Sequence, residues 1–390
     1  MITISGRRLG AVALTATLAA GLLATGGTAQ AAGEHADTQA ALNGYQSHAG
    51  PGAAVYAGNA NGSWHLTAGS ASISAARPIK SDEHFRIASQ TKTFTAAVVL
   101  QLVDEGRVEL DAPVERYLPG VLQGNGYDGN RITVRQVLQH TSGIPDLNVL
   151  DFAPKAAGLL KPDGSVDPRS LVKLALQTYP PASAPGVQVL YSNLGYMVNG
   201  LLVEQVTGVS MREAVTSRII NRLGLTRTAY SAAGDRTLPA PFIPGYRGVR
   251  FGPVQFWTET TTMPVGAEPS LSSAAGAMVS SLADMAKFYR ALLAGQVVSP
   301  AALTEMRKIA TIANPADPRW LGVGLGLQLI SLSCGGQAWF HNGYGFSGYT
   351  SITAATEDGR YASMMTNAWE FTSIKPTPVD VIESALCGSR

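Results

Sequence analysis

FRIASQTKTFTAAVVLQLVDEGRVEL, residues 85 to 110, is the stretch that decides the fold. Phe94, Ala97, Val98, Leu102 and Val103 recur at helical spacing, and Gly106 stands where a glycine would end the helix. Ser89 and Lys92 therefore lie at the start of a buried helix, three residues apart on one face and within side-chain reach. A hydroxyl is a weak nucleophile and needs a base. Lysine can be that base if burial and neighbouring positive charge bring its pKa from about 10.4 to near 7 or 8, which takes roughly 4 kcal/mol. The positive end of the helix dipole pushes the same way. Taken alone, the pair also fits an ordinary serine and an exposed lysine on any helix.

On the N-terminal side, residues 53–59 and 64–68 are strand-like runs joined through Asn61-Gly62, a dipeptide suited to a tight hairpin. On the C-terminal side, residues 133–139, 194–206 and 210–221 carry helical patterns between Pro- and Gly-rich connections. The last of these opens with Ser210 and Glu213 at capping-box spacing. Ser281 with Asp284 starts a further helix that runs to Leu293 and stops at Gly295. Strand patterns then return at residues 338–341, 349–354 and 361–366, the latter two joined through Asp358-Gly359. Thr377, Pro378 and Asp380 supply the cap, first-turn proline and first-turn acid of a closing helix. The pattern predicts an α+β fold: an antiparallel sheet flanked by helices, built from the N- and C-terminal thirds, with a mainly helical subdomain inserted. The expected division is residues 32–110 with 251–390 for the sheet part and 111–250 for the insertion.

Composition supports a large core, with 45% of 390 residues hydrophobic and 14% charged. Residues 1–31 read as a cleaved export signal: Arg7 and Arg8 precede an uncharged Ala/Leu/Gly-rich stretch ending at Ala29-Gln30-Ala31. No later segment is apolar for long enough to span a bilayer, so a secreted protein free of the membrane is expected. The net charge of +2 matches the two arginines of that signal, leaving a balanced mature chain unsuited to nucleic acid. In an exported protein the two cysteines, Cys334 and Cys387, are expected to form a disulfide, with two buried free thiols as the alternative. The six histidines show no metal-ligand spacing, and no metal or cofactor is expected.

Two further motifs bear on chemistry. Tyr191-Ser192-Asn193 precedes a helix, offering a phenolic proton shuttle and an amide with both donor and acceptor. Alone it also fits a buried tyrosine and a helix-capping asparagine. His341-Asn342-Gly343 ends a strand-like run, offering a cation or donor and a position that lets substrate approach the backbone. The order SxxK, YxN, HxG, with the first on a helix and the last on a strand, is what chance does not readily produce. Gly343 to Gly348 matches GxGxxG, but strand-like residues flank it and it opens no helix, so a dinucleotide site is excluded. No Gly-x-Ser-x-Gly elbow occurs.

With these motifs, residues 85–110, Ile132 to Ile144 (ITVRQVLQHTSGI), and the tail holding Cys334 and Cys387, the chain resembles the penicillin-recognising serine hydrolases. It is most similar to their secreted, Streptomyces-type D-alanyl-D-alanine carboxypeptidase branch. The resemblance implies Ser89 as the acylated nucleophile, Lys92 as base and Tyr191 as proton relay. It implies Asn193 as a substrate-amide contact, His341 as counterpart of the lysine of class C β-lactamases, and an oxyanion held by the amides of Ser89 and Tyr344. It gives the His140-Thr141-Ser142-Gly143 stretch a scaffold role. Departures from the branch fall at substrate-binding positions: Gln328 replaces a carboxylate-binding arginine, Asn342 and Tyr344 replace threonines, and Leu271 stands for a tryptophan. Glutamine cannot form a bidentate ion pair with a carboxylate. The expected activity is DD-peptidase-like, on peptidoglycan stem peptides, with β-lactams as acylating ligands. An esterase, a β-lactamase or a D-amino-acid amidase on the same scaffold is the alternative. A catalytically silent cell-wall sensor is disfavoured by the complete set of Ser89, Lys92, Tyr191 and Asn193.

Overall fold

The computed structural model describes residues 33–147, 155–251, 254–312, 317–369 and 374–389; the expected export signal lies outside the described residues. Seven strands form one antiparallel sheet: β1 (Gly52–Asn59), β2 (Gly62–Gly69), β3 (Trp320–Val323), β4 (Gln328–Ser331), β5 (Gln337–Gly345), β6 (Tyr349–Thr356) and β7 (Tyr361–Thr366). Their spatial order is β3-β4-β5-β6-β7-β1-β2. The sheet thus joins the first and last thirds of the chain, sealed where β1 runs against β7 from Ala53 opposite Thr366 to Gly58 opposite Tyr361. The first hairpin turns one residue earlier than expected. Asn59 pairs with Gly62, so Ala60 and Asn61 form the turn, and the Asn59 side chain accepts the Asn61 amide at 2.8 Å.

Alternation along the strands gives the sheet two apolar faces. Two terminal helices, α1 (Ala36–Ala49) and α5 (Pro378–Gly388), cover one face, packing Leu42, Tyr45, Val381, Ile382 and Leu386 on Val55, Phe340, Ile352 and Met364. The other face meets α2 (Thr91–Asp104), α3 (Asn193–Thr207) and α4 (Leu282–Leu293) in a larger core. Helix α5 is set by a complete Thr377/Asp380 capping box with proline in its first turn. It is held by the Cys334–Cys387 disulfide, which ties it to the turn between β4 and β5. Arg319 adds ion pairs to Asp317, Asp380 and Glu383.

The middle of the chain is helical but less uniformly than expected. Short strands Phe85–Arg86, Met278–Ser280 and Ala229–Tyr230 form a small second sheet, and the hairpin Tyr246–Phe251 with Val254–Glu259 runs across residue 250, where the insertion was expected to end. Half of the Ser210/Glu213 box forms: Ser210 accepts the Glu213 amide at 3.2 Å, and the Met211 amide goes to Glu204.

Candidate active site

Helix α2 is buried on all sides, as its sequence requires. From Glu83 to Leu102 every residue is buried except Ser89, the one opening in a closed run. A short turn, Ala88–Gln90, delivers Ser89 to the start of α2, with Ala88 held at φ +45, a strained value for a residue with a Cβ. The turn is clamped to the sheet from two sides. Gln90 donates to the Ser351 hydroxyl of β6 at 2.7 Å, and β5 passes so close that a Cβ on Gly343 would lie 2.1 Å from the Ile87 carbonyl oxygen. Glycine is required there for contact and not for its dihedral angles.

Lys92 is fully buried, and its Nζ meets three oxygens: Asn193 Oδ1 at 2.6 Å, the Ala275 carbonyl at 2.9 Å and Ser89 Oγ at 3.2 Å. The first two can only accept hydrogen bonds. In the neutral amine they take both hydrogens, which leaves the lone pair facing Ser89 Oγ. Burial lowers the Lys92 pKa from 10.5 to about 7, so the neutral form is well populated at ordinary pH. The sequence reading expected neighbouring positive charge to share in this. The structure gives the work to burial, and the charged neighbour is Asp146, which opposes it.

The Tyr191 hydroxyl hydrogen-bonds Ser89, and Lys92 Nζ lies 4.8 Å from the Tyr191 ring centre. Burial raises the phenol's pKa, so the Tyr191 hydroxyl is protonated and can both donate and accept a hydrogen bond. The residue still exposes 38% of its surface, which opens this side of the site. Ser192, and not Asn193, caps α3, its Oγ accepting the Gly195 amide at 2.9 Å. Asn193 is thereby free to face Lys92. His140 sits beneath: its Nδ1 accepts the Ser192 amide at 3.0 Å and its ring stacks on Tyr191 with centres 4.5 Å apart. Burial, with Lys92 and His341 adding, holds His140 neutral. His140 thus packs directly against Tyr191 and holds the backbone that follows it.

His341 on β5 is buried within electrostatic reach of Lys92 and His140. Burial first, then Lys92, lowers its pKa to about 3, so it is not the cation the sequence allowed. Its Nδ1 donates to the Asn342 carbonyl at 2.6 Å, leaving Nε2 an acceptor and not a donor. Asn342 and Tyr344 alternate to the other face of β5, where their side chains hydrogen-bond each other. Gln328, opposite Phe340 on β4, shares that face; it is buried, and its Oε1 has no hydrogen-bond partner. Gln328 makes no hydrogen bond to Ser89, Lys92, Tyr191 or Asn193. Two contributors carried no usable sequence signal: the Ala275 carbonyl, because any residue has one, and Asp146, an acid in a loop after the His140 turn. Among the described residues no group of three or more acids, histidines or cysteines could hold a metal ion, and no helix is long and apolar enough to cross a membrane.

The beta-lactamase family profile matches residues 29–380. In the solved structure of a D-stereospecific amidohydrolase from Streptomyces sp., 37% of residues are identical, at a TM-score of 0.77 over 91% of this chain and 99% of that one. The D-amino acid amidase from Ochrobactrum anthropi SV3, complexed with L-phenylalanine amide, is 25% identical with a TM-score of 0.76 over 91% and 98%. Among curated proteins, Esterase EstB of Burkholderia gladioli is 34% identical over 185 residues, 45% of this chain and 46% of that protein. The chain matches less than half the length of this and several other curated relatives.

Proposed function

Because the chain belongs to the beta-lactamase family of serine hydrolases, we propose that it hydrolyses amides and esters of D-configured aminoacyl groups through an acyl-enzyme on Ser89. The observation that carries this is the lone pair of Lys92 held toward Ser89 Oγ by two acceptor oxygens. Neutral Lys92 takes the Ser89 proton as Oγ attacks the substrate carbonyl. The amides of Ser89 and Tyr344 receive the oxyanion, and Tyr191 passes the proton to the departing amine or alcohol. Water then resolves the acyl-enzyme by the reverse relay.

Charge favours this substrate class over the carboxypeptidase reading. A free C-terminal carboxylate needs a cation, whereas Gln328, which the resemblance sets at the carboxylate-binding position, is uncharged and burial keeps His341 neutral. An amide or ester leaving group without a carboxylate makes no such demand. The likeness to the D-stereospecific amidohydrolase supports the same choice. Export is part of the proposal, since the Cys334–Cys387 disulfide suits an oxidising compartment. β-Lactams, whose strained amide needs only the acylation machinery, are proposed as acylating ligands.

The test compares kcat/KM for a D-aminoacyl amide and ester, their L-epimers, and an N-acylated D-alanyl-D-alanine. Preference for the D-amide and D-ester by at least about tenfold supports the proposal. Fastest release of terminal D-alanine would return the protein to the carboxypeptidases.

A further inference from the structure

We propose that Asp146 is a positioning residue that fixes the side-chain amide of Asn193 and, through it, aims the lone pair of Lys92 at Ser89. This deepens the serine hydrolase mechanism above and rests on it. Asn193 Nδ2 lies 3.0 and 3.1 Å from the two carboxylate oxygens of Asp146, and the Asn193 backbone amide donates to the same carboxylate at 2.9 Å. A carboxylate only accepts hydrogen bonds, so the nitrogen end of the Asn193 amide must face it. That leaves Oδ1, and not the NH2 group, to meet Lys92 Nζ at 2.6 Å.

The orientation matters because the two ends of an amide have opposite effects on an amine. With Oδ1 toward it, Lys92 spends a hydrogen on Asn193 and a second on Ala275, and its lone pair is free for the Ser89 proton. With the amide reversed, Nδ2 would donate into that lone pair and the base would be blocked. Among the described residues, nothing else within hydrogen-bonding distance of Nδ2 selects between the two orientations. The loop that carries Asp146 is itself pinned, since Ser192 Oγ donates to the Pro145 carbonyl at 3.0 Å.

Asp146 also acts on Lys92 by charge, favouring its protonated form, while the other titratable groups around the amine, among the described residues, are His140, His341, Tyr191 and Tyr196, the first two uncharged and the last two phenols raised by burial. Removing the carboxylate therefore has two separable consequences. The charge effect shifts the pH dependence of acylation to lower pH. The orientation effect lowers the maximal rate.

The experiment measures burst kinetics with a p-nitrophenyl acyl ester from pH 5 to 10, for wild type, Asp146→Asn, Asp146→Leu, Asp146→Glu and Asn193→Ala, and for Asp146→Leu combined with Asn193→Ala. Near-UV circular dichroism confirms the folded state of each. Asp146→Leu is expected to lose roughly ten- to a hundredfold in maximal acylation rate, and both neutral variants to show an acid-shifted rising limb. Asp146→Glu should restore the limb. In the Asn193→Ala background, Asp146→Leu should cost little further rate, because the group it positions is gone. Independent, multiplying losses would overturn the proposal, as would a wild-type rate and pH profile in Asp146→Leu. If Ser89→Ala, run beside them, releases p-nitrophenol as fast as wild type, the serine hydrolase mechanism itself fails and this inference with it.

Discussion

Replacing Lys92 with methionine should separate the stability of this protein from its chemistry in a way that pH can read. Folded Lys92 titrates near 7, against 10.5 when freely solvated. Between those values the unfolded chain binds a proton that the folded chain does not, so stability rises with pH across the window. The contribution is fully present above 10.5 and is lost as pH falls through 7. At about 1.36 kcal/mol per pH unit the gap amounts to roughly 5 kcal/mol. Lys92→Met abolishes the base and this pH dependence together. It also leaves Asn193 Oδ1 and the Ala275 carbonyl unpaired, a cost of about 1–3 kcal/mol each that does not vary with pH. The assay is urea denaturation of both proteins at intervals from pH 6 to 10.5. Wild type should gain on the variant by several kcal/mol over that range, with other titrating groups cancelling in the comparison. Parallel curves would mean that Lys92 keeps an ordinary pKa and cannot serve as the base, and the mechanism would fall with it.

Gly343→Ala places a methyl 2.1 Å from the Ile87 carbonyl oxygen, so β5 must draw back from the Ser89 turn; kcat/KM is expected to drop about a hundredfold or more while circular dichroism shows the sheet retained. Tyr191→Phe removes the hydroxyl beside Ser89 and should lower kcat by roughly 10²- to 10⁴-fold with a smaller change in KM, measured by steady-state kinetics. Reducing Cys334–Cys387 opens a 53-residue loop and should cost about 4 kcal/mol in chemical denaturation, without altering acylation of the native protein.

The sheet was legible in the sequence wherever strands are long and end in recognisable turns: β1, β2, β6 and β7 follow from alternation and from Asn-Gly or Asp-Gly signals. Strands β3 and β4 were not, because each has four residues and the intervening Gly324 and Gly326 erase any period. Helix α1 escaped as well, since Leu42 and Tyr45 are its main large apolar residues and the rest is small or polar. At the site, Ser89, Lys92, Tyr191 and Asn193 could be named from spacing and resemblance because side-chain chemistry singles them out. What spacing cannot express is direction. The amide orientation that Asp146 imposes and the backbone carbonyl of Ala275 exist only once three distant segments meet. The protonation state of His341 is likewise a product of burial, which is why a residue eligible to be a cation turns out to be a neutral acceptor.

Intact-protein mass spectrometry of a fluorophosphonate adduct, followed by peptide mapping across pH, tests most directly that Ser89 is activated by a neutral Lys92. One adduct is expected, on Ser89, absent in Ser89→Ala, with a labelling rate that rises through a midpoint near pH 7. A label on another residue, or labelling that survives loss of the Ser89 hydroxyl, would contradict it.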